Sequence, residues 1–315
     1  MPLMAKAKQA PSVSSSADLY EWAAEVLRLR FDEVMSFGGA VLVPGNVNAV
    51  HDMRVALRRL RSALRDFLQV IDEKPLKRVK DDLKRIAGLL GAVRDQDVAI
   101  IALEELAADT ENELVKSGIG EMVEELRTTR ENAHSILRNA LESVSLSELR
   151  NRFSNRIDDA LRQQELFRPA SLKQAASEVI EARLRDLGEM GTSIYDPSDG
   201  VQLHQLRIGA KRLRYAIELF AQCWGEEIGE ISTELAKMQS DLGDVHDCDL
   251  WIDSLSKRLK RKGKSKDQNA ATAAAWLLSR FVGKRSKEYR SALELWSEWE
   301  ATAFTNRLRD IISSG

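Results

Sequence analysis

The chain has 315 residues, of which 43% are hydrophobic and 30% are charged, and it carries a formal net charge of −2. This balance is typical of a folded globular protein and excludes a largely disordered or membrane-embedded chain. The near-neutral charge also excludes a protein that is basic over its whole surface, as many nucleic-acid binders are. Two cysteines cannot form a disulfide framework or a four-ligand zinc site, which favours reduced thiols in a cytoplasmic protein.

Helix-forming residues dominate almost the whole length of the sequence. Residues 1–16 contain no apolar run of signal-peptide length and predict a disordered tail. Beyond them, Ala, Leu, Arg, Glu and Lys are abundant and only six prolines occur in the chain. The longest apolar runs, Val98–Leu103 and Ala273–Leu278, are too short to cross a bilayer. No segment alternates as a strand does, so the prediction is an all-α protein that does not enter a membrane.

One basic helical segment occurs twice. Val50–Phe67 (VHDMRVALRRLRSALRDF) aligns with Leu203–Phe220 (LHQLRIGAKRLRYAIELF) at an offset of 153 residues. A second match sets Leu90–Val98 (LGAVRDQDV) against Leu242–Leu250 (LGDVHDCDL), and a weaker third match follows around Arg138 and Arg290. Three matches in one order predict two copies of a single helical unit.

The predicted units are residues 17–167 and 168–315, with the boundary near Phe167–Ser171, where Arg168-Pro169 interrupts the helical pattern. Each unit is expected to begin with a helix, at about Asp18–Phe37 and Leu172–Met190, followed by a loop and the basic helix. A third helix is predicted to end at Gly91 or Gly243, because glycine is favoured just past a helix. Asp95 or Asp247 would then cap the next helix, and two more helices would close each unit.

The basic helix has an unusual distribution of charge around its axis. At about 100° per residue, Arg54, Arg58, Arg61 and Arg65 fall in a sector roughly 80° wide that begins near His51. The apolar residues fall directly beside this sector, and the second copy repeats the arrangement except that Glu218 replaces Arg65. Residues 51–65 carry +4 and residues 204–218 carry +3, so the other 285 residues must carry −9. Positive charge is therefore concentrated in the repeated helix.

A row of like charges is unfavourable unless anions offset it. Neighbouring like charges on one helix face cost a few tenths of a kcal/mol each. Arginine can contact two phosphate oxygens at once, and successive positions of the row rise roughly 5 Å along the helix. Histidine can also donate to phosphate. The row therefore predicts a site for a linear polyanion, formed by His51, Arg54, Arg58, Arg61, Arg65, His204, Arg207, Lys211 and Arg214.

Further cations coincide between the two copies and are weaker candidates for the same site. They are Arg94 and His246 in the LG segment, Arg85 and Lys237 six residues before its glycines, and Arg138 and Arg290 near the end of each unit. The run from Lys257 to Lys266 has no counterpart in the first copy, so we do not assign it to this site. Residue types and spacing indicate no catalytic residue, no metal ligand and no cofactor.

The doubled motif resembles the CHAD family, the conserved histidine α-helical domain. The resemblance rests on H-x-x-R-x-x-x-[RK]-R-L-R at His51–Arg61 and His204–Arg214, followed in each copy by LG-x-V-[RH]-D-x-D. It implies two four-helix bundles related by a pseudo-two-fold axis, which together form one CHAD domain over about residues 18–312. It also implies a central basic groove or pore that binds inorganic polyphosphate without catalysis. The E-x-E-x-K motif of the triphosphate-tunnel enzymes often fused to this family is absent from the sequence.

Two other classes of function stay open at this point. His51-Asp52 and His246-Asp247 are literal HD pairs, which would suit a metal-dependent phosphohydrolase, but the repeat turns them into His204-Gln205 and Arg94-Asp95. Arginine is not a usual metal ligand. A nucleic-acid or protein-interaction bundle is the third class, although the basic rows lack the interleaved aromatic residues that stack on bases. We expect polyphosphate as the partner and a cytoplasmic location, with association to polyphosphate granules as one form of it; the oligomeric state is not predicted.

Overall fold

The computed structural model describes residues 19–67, 74–143, 146–162, 171–262 and 268–314. In these ranges the chain is all-helical and contains no strand, as the sequence predicted. None of the helices found there combines the length and the apolar character that crossing a bilayer requires. The predicted tail at residues 1–16, most of the predicted unit boundary and the end of the Lys257–Lys266 run lie outside the described residues.

Eleven α-helices are found in the described ranges. They are α1 (Leu19–Ser36), α2 (Gly38–Val41), α3 (Val47–Phe67), α4 (Lys77–Ala108), α5 (Glu113–Ser143), α6 (Leu146–Arg162), α7 (Leu172–Glu189), α8 (Gly200–Phe220), α9 (Glu227–Lys262), α10 (Gln268–Ala301) and α11 (Phe304–Ser313). Short 3₁₀ turns at Lys74–Leu76, Gly191–Tyr195 and Ala221–Cys223 precede α4, α8 and α9. The two basic helices, α3 and α8, are each 21 residues long.

Contacts divide the chain into two compact units. Unit 1 comprises residues 1–101 and 125–176, and unit 2 comprises residues 102–124 and 177–315. The tip of the α4–α5 hairpin therefore belongs with the second unit. The division into sequence copies at residue 167/168, and their pseudo-two-fold relation, stay predictions.

The apolar sector predicted on each basic helix is buried, which confirms that part of the sequence analysis. On α3, Met53, Leu57, Leu60, Leu64 and Phe67 are at most 2% exposed, and α3 packs against α1. Phe67 meets Trp22 edge to face at 5.7 Å. Burying a large apolar side chain contributes about 1.5–3 kcal/mol, so this face fixes the rotation of α3 about its axis.

Helix α8 is held in unit 2 in the same manner. Its apolar residues are at most 1% exposed, and it packs against the long helix α9, which in turn packs against α10. These buried residues are Leu206, Ala210, Leu213, Ile217 and Phe220. Because the core residues fix the rotation of α8 about its axis, they also fix the direction in which the adjacent basic sector points.

The predicted helix breaks at the two LG segments are wrong. Helix α4 runs through Gly91 and Asp95 without interruption, and α9 runs through Gly243 and Asp247. Neither glycine has a positive φ. A Cβ atom on Gly91 would lie 3.9 Å from Arg54 Nε, and one on Gly243 would lie 3.9 Å from Arg207 Cδ. The glycines thus mark where an arginine of the basic helix crosses its neighbour, not where a helix ends.

The aspartates of the same segments are not helix caps, and two of them bind arginines of the following helix. The Asp97 carboxylate is buried and accepts a hydrogen bond from Arg130 Nε of α5 at 2.9 Å. In unit 2, Asp249 accepts from Arg285 of α10. Losing one partner of a buried ion pair costs about 3–5 kcal/mol, so the pair of Asp97 with Arg130 fixes how α5 packs on α4. The pair of Asp249 with Arg285 is partly exposed and contributes less to the packing of α10 on α9.

The following helix also holds the loop that leads into each basic helix. In unit 1, His134 Nε2 lies 3.0 Å from the Val41 carbonyl oxygen, and Asn46 then caps α3 through the Ala49 amide. In unit 2, Tyr289 Oη donates to the Ile194 carbonyl at 2.7 Å, and Asp199 caps α8 through the Gln202 amide. The histidine at the head of each basic helix therefore sits one turn after a capped and anchored helix start.

A continuous helix at Gly91 and Gly243 makes a measurable prediction. Replacing either glycine by alanine should raise the free energy of unfolding, by up to about 1 kcal/mol, because alanine loses less backbone entropy on entering a helix and the added Cβ finds ordinary contact. Thermal or urea unfolding of Gly91→Ala and Gly243→Ala measures this. Gly45→Ala is the opposite control, because its φ of +80° should make alanine destabilising. A clear loss of stability in Gly91→Ala would restore the predicted helix end.

The association of residues 102–124 with unit 2 depends on a close approach at Gly118. A Cβ atom there would come within 2.5 Å of the Asn269 carbonyl oxygen of α10 and 2.6 Å of the Ala273 side chain. Gly118→Ala should therefore lower the free energy of unfolding by about 1–3 kcal/mol.

Gly120 is the matched control on the same helix, because an added Cβ there meets nothing within 4 Å. Gly120→Ala should be neutral or stabilising by up to about 1 kcal/mol. Chemical denaturation of both variants measures the contrast, and equal stability of the two would show that α5 does not approach α10 in this way.

Candidate functional site

Four predicted site residues come together in unit 1, and we call them the first basic cluster: His51, Arg54 and Arg58 of α3 with Arg94 of α4. Burial lowers the pKa of His51 below its ordinary value, and the charge of Arg94 lowers it further. Asp52 opposes this shift, and Arg58 and Arg54 add smaller lowering effects. The pKa of Arg94 is lowered by burial and by Arg54, against opposing effects of Asp97 and Asp95. The four side chains therefore crowd positive charge at the head of α3.

The corresponding four residues of unit 2 form the second basic cluster: His204, Arg207 and Lys211 of α8 with His246 of α9. The imidazole rings of His204 and His246 lie 4.1 Å apart between centroids, with their planes tilted by 44°. Arg207 Nη2 lies 3.5 Å from His204 Nδ1. The pKa of His204 lies below its ordinary value because of burial and, in decreasing order, the charges of His246, Arg207 and Lys211.

A carboxylate pairs loosely with one cation of the first cluster. Arg54 Nη2 lies 3.7 Å from Asp95 Oδ1, where the carboxylate is 69% exposed and the arginine 37% exposed. An ion pair so open to solvent contributes at most about 1 kcal/mol. It leaves the Arg54 guanidinium able to exchange this partner for a better anion.

The C-terminal half of each basic row is different, because carboxylates of the protein already bind it. Arg65 hydrogen-bonds to Ser62 and to the buried Asp66, and Arg214 Nη1 donates to Glu218 at 2.6 Å. Arg214 is only 16% exposed and also donates to Gln239. Arg61 is more exposed, and its pKa is lowered by partial burial and by neighbouring Arg65. The predicted row thus divides into a basic head and a partly neutralised end.

The remaining predicted residues are dispersed. Lys237 of α9 contacts Ser291 and lies 3.6 Å from Asp241, so a nearby carboxylate already partners it. Arg85 lies on α4, Arg138 on α5 and Arg290 on α10. Within the described parts of the chain, none of these last three has a hydrogen bond or ion pair that joins it to a cluster. We therefore centre the candidate site on the two clusters.

Sequence reasoning missed the carboxylates that neutralise the ends of the rows. Asp241 lies four residues after Lys237 on one helix, a spacing at which ion pairs form, so the sequence did contain that signal. The tie between Arg65 and Asp66 had no such signal, because adjacent residues of a helix point in different directions. Only burial of Asp66 against the core brings its carboxylate back to Arg65.

Two features of the structure bear on the metal-dependent phosphohydrolase that the sequence left open. Among the residues that the structure describes, no three His, Cys, Asp or Glu side chains form a group that could hold a metal ion. His134 is committed to the Val41 carbonyl, and burial raises the pKa of the Cys248 thiol to about 11. That thiol is protonated at neutral pH, and a protonated thiol is a poor nucleophile and ligand.

Comparisons with known proteins were made for the whole chain. Uncharacterized proteins from two strains of Mycobacterium tuberculosis, H37Rv and CDC 1551, are each 29% identical over 209 residues, which is 64% of this chain. The matched segment is only 38% of the length of these relatives.

Solved structures show the fold. A crystal structure of the CHAD domain from the plant Ricinus communis superposes with a TM-score of 0.74 at 21% identity, covering 94% of this chain and 97% of that one. PptA from Streptomyces chartreusis superposes with a TM-score of 0.67 at 16% identity, covering 89% of this chain and all of that one.

The family model of the CHAD domain matches residues 25–256, which include both basic helices and both LG segments. This match covers more than half of the sequence, and polyphosphate binding is the known association of the family. The chain belongs to the CHAD domain family.

Proposed function

We propose that this chain binds inorganic polyphosphate non-catalytically, with the two basic clusters as its principal contacts. The carrying observation is that each cluster combines cations from two neighbouring helices, and that in the second cluster two imidazole rings lie 4.1 Å apart beside Arg207. Family membership supports the choice of polyphosphate among polyanions.

Electrostatic crowding supports an anionic ligand in unit 1. Burial and neighbouring cations both lower the pKa of His51 and of Arg94, which means that the charged forms are strained in the unliganded protein. An anion placed among the four side chains would relieve that strain. Because the buried apolar face of α3 fixes the helix, the cations cannot separate to relieve it themselves.

The chemistry of the clusters suits phosphate in particular. Arg54, Arg58, Arg94 and Arg207 offer planar forks of donors that match pairs of phosphate oxygens, and Lys211 adds a point charge. The aromatic residues of α3 and α8, which are Phe67, Tyr215 and Phe220, are buried and so are not presented for stacking on a base. A polymer that presents phosphate without bases fits this surface better than RNA.

Binding without turnover is the simplest role for these groups. Hydrolysis of a phosphoanhydride needs an activated water or nucleophile, and most known catalysts supply metal ions held by carboxylates. The carboxylates that act on the clusters are Asp52, Asp95 and Asp97 in unit 1 and Asp247 and Asp249 in unit 2. None of them stands in a group of three potential metal ligands in the described ranges.

Calorimetric titration tests the proposal directly. Polyphosphates of defined length should bind more tightly as the polymer grows, because a longer polymer presents more phosphate groups to the clusters. Affinity should fall on the order of a hundredfold between 50 and 200 mM salt if about four counterions are released, by analogy with other polyanions. The polymer should be recovered at its original length. Equal affinity for RNA of the same charge, or release of phosphate, would contradict the proposal.

Charge removal locates the binding surface. The variant with Arg54, Arg58, Arg207 and Lys211 all replaced by glutamine should lose at least about a hundredfold in affinity, since hydrogen bonds to charged groups contribute about 1.5–3 kcal/mol each. Its helix content, measured by circular dichroism, should stay unchanged, because the four side chains are partly exposed.

The matched control removes the same charges elsewhere. Arg78, Arg127, Arg185 and Lys287 are exposed, lie two in each unit, and comprise three arginines and one lysine, as the test set does. Their replacement by glutamine should weaken binding only slightly, through loss of long-range attraction. If both quadruple variants lose affinity equally, the polymer binds by net charge and the clusters are not its site.

A further inference from the structure

The second basic cluster contains a pair of imidazoles that the first does not. His204 heads α8, and His246 faces it from α9 at 4.1 Å between ring centroids. Both rings are half-buried, so solvent and ligands reach them. Arg207 can only donate, so its contact of 3.5 Å with Nδ1 of His204 favours the neutral ring with the proton on Nε2. That Nε2–H is then the group left for a ligand.

Unit 1 has a permanent charge in the place of one imidazole. Arg94 aligns with His246 across the LG segments, and it acts on His51 as His246 acts on His204. Arginine stays protonated at every physiological pH, whereas histidine changes charge between about pH 5 and 8. The second cluster therefore has two imidazoles whose charge depends on pH, whereas the first has one, His51.

The groups around the imidazole pair oppose its protonation in the absence of ligand. From α8, Arg207 and Lys211 act against a charge on His204. Burial and Arg207 lower the pKa of His246, while Asp247 and Asp249 of its own helix raise it. From α10, Arg285 binds the Asp249 carboxylate, and so offsets part of that aspartate's effect.

We propose that the His204–His246 pair is a proton-coupled phosphate site, so that the second cluster binds polyphosphate more tightly as pH falls. The first cluster depends on pH less, because it has one imidazole, His51, and the permanent charge of Arg94. This inference rests on the proposed function. A phosphate group at the exposed edges of the two rings would accept a hydrogen bond from each, and its negative charge would offset the repulsion of two imidazolium ions so close together. Binding would then take up protons from solution.

The sign of the pH dependence follows from linkage. In the unliganded protein the pKa values of His204 and His246 lie below the ordinary 6.5. When the pH falls below 6.5, the unfolded chain therefore takes up protons at these histidines before the folded protein does, and the folded protein loses stability. Polyphosphate acts in the opposite direction, because it raises both pKa values. For each proton taken up on binding, the association constant should rise about tenfold for each unit by which the pH falls.

Titration calorimetry at pH 6 and pH 8, at one ionic strength and with long-chain polyphosphate, tests the inference on the full chain. The wild type should bind more tightly at the lower pH. His246→Arg gives unit 2 the permanent charge found in unit 1, so it should tighten binding at pH 8 more than at pH 6. The reciprocal change, Arg94→His, should weaken binding at pH 8 more than at pH 6. A misfolded variant would lose affinity at both values and could not reproduce this opposite pair of effects.

Nuclear magnetic resonance of the imidazoles supplies a readout that does not depend on affinity. The chain has four histidines, and replacing each by glutamine assigns its signal. His204 and His246 should titrate at a higher pH with polyphosphate than without it. If polyphosphate binds but both rings titrate unchanged, or both charge swaps act equally at the two pH values, the inference is overturned while the proposed function stands. If the wild type binds polyphosphate at neither pH, the proposed function itself fails.

Discussion

Crowding of positive charge beside a buried apolar face is the constraint on which the function of this chain depends. The core residues of α3 and α8 are almost fully buried, and burial of several large side chains outweighs the few tenths of a kcal/mol that each neighbouring pair of like charges costs. The helices therefore cannot rotate to separate their cations. In unit 2 the consequence is visible as two imidazoles 4.1 Å apart next to Arg207. Packing energy holds these cations together, and a bound anion would make their arrangement more favourable.

Other interactions fix the positions of the helices that carry this charge. The buried pair of Asp97 with Arg130 and the pair of Asp249 with Arg285 fix the helix that follows each LG segment. That following helix in turn anchors the loop before the basic helix, through His134 in unit 1 and Tyr289 in unit 2. Different residues thus anchor the loop before the basic helix in the two units. Both sets place a histidine at the start of a capped helix, opposite the LG segment of the next one.

The outcome of sequence-based prediction follows the range of the interactions involved. Helical periodicity is local, so the all-α class, the buried sector of α3 and α8 and the extents of α1 and α7 were predicted and confirmed. Gly91 and Asp95 were taken for a helix end, because glycine and aspartate favour that place when only local preference is considered. In the structure the Arg54 side chain passes Gly91 of the neighbouring helix. This contact between two helices cannot be read from the sequence pattern of one helix. The neutralising role of Asp66 was missed because adjacent residues of a helix usually point in different directions, so its contact with Arg65 was not expected.

The placement of polyphosphate on the two clusters is the central claim, and a crystal structure of the chain with a polyphosphate of defined length tests it most directly. The claim predicts phosphate groups within hydrogen-bond distance of Arg54 and Arg94 in unit 1 and of His204, Arg207 and His246 in unit 2. Phosphate density that avoids both clusters, and lies instead along other exposed cations such as Lys257 and Lys260, would contradict it.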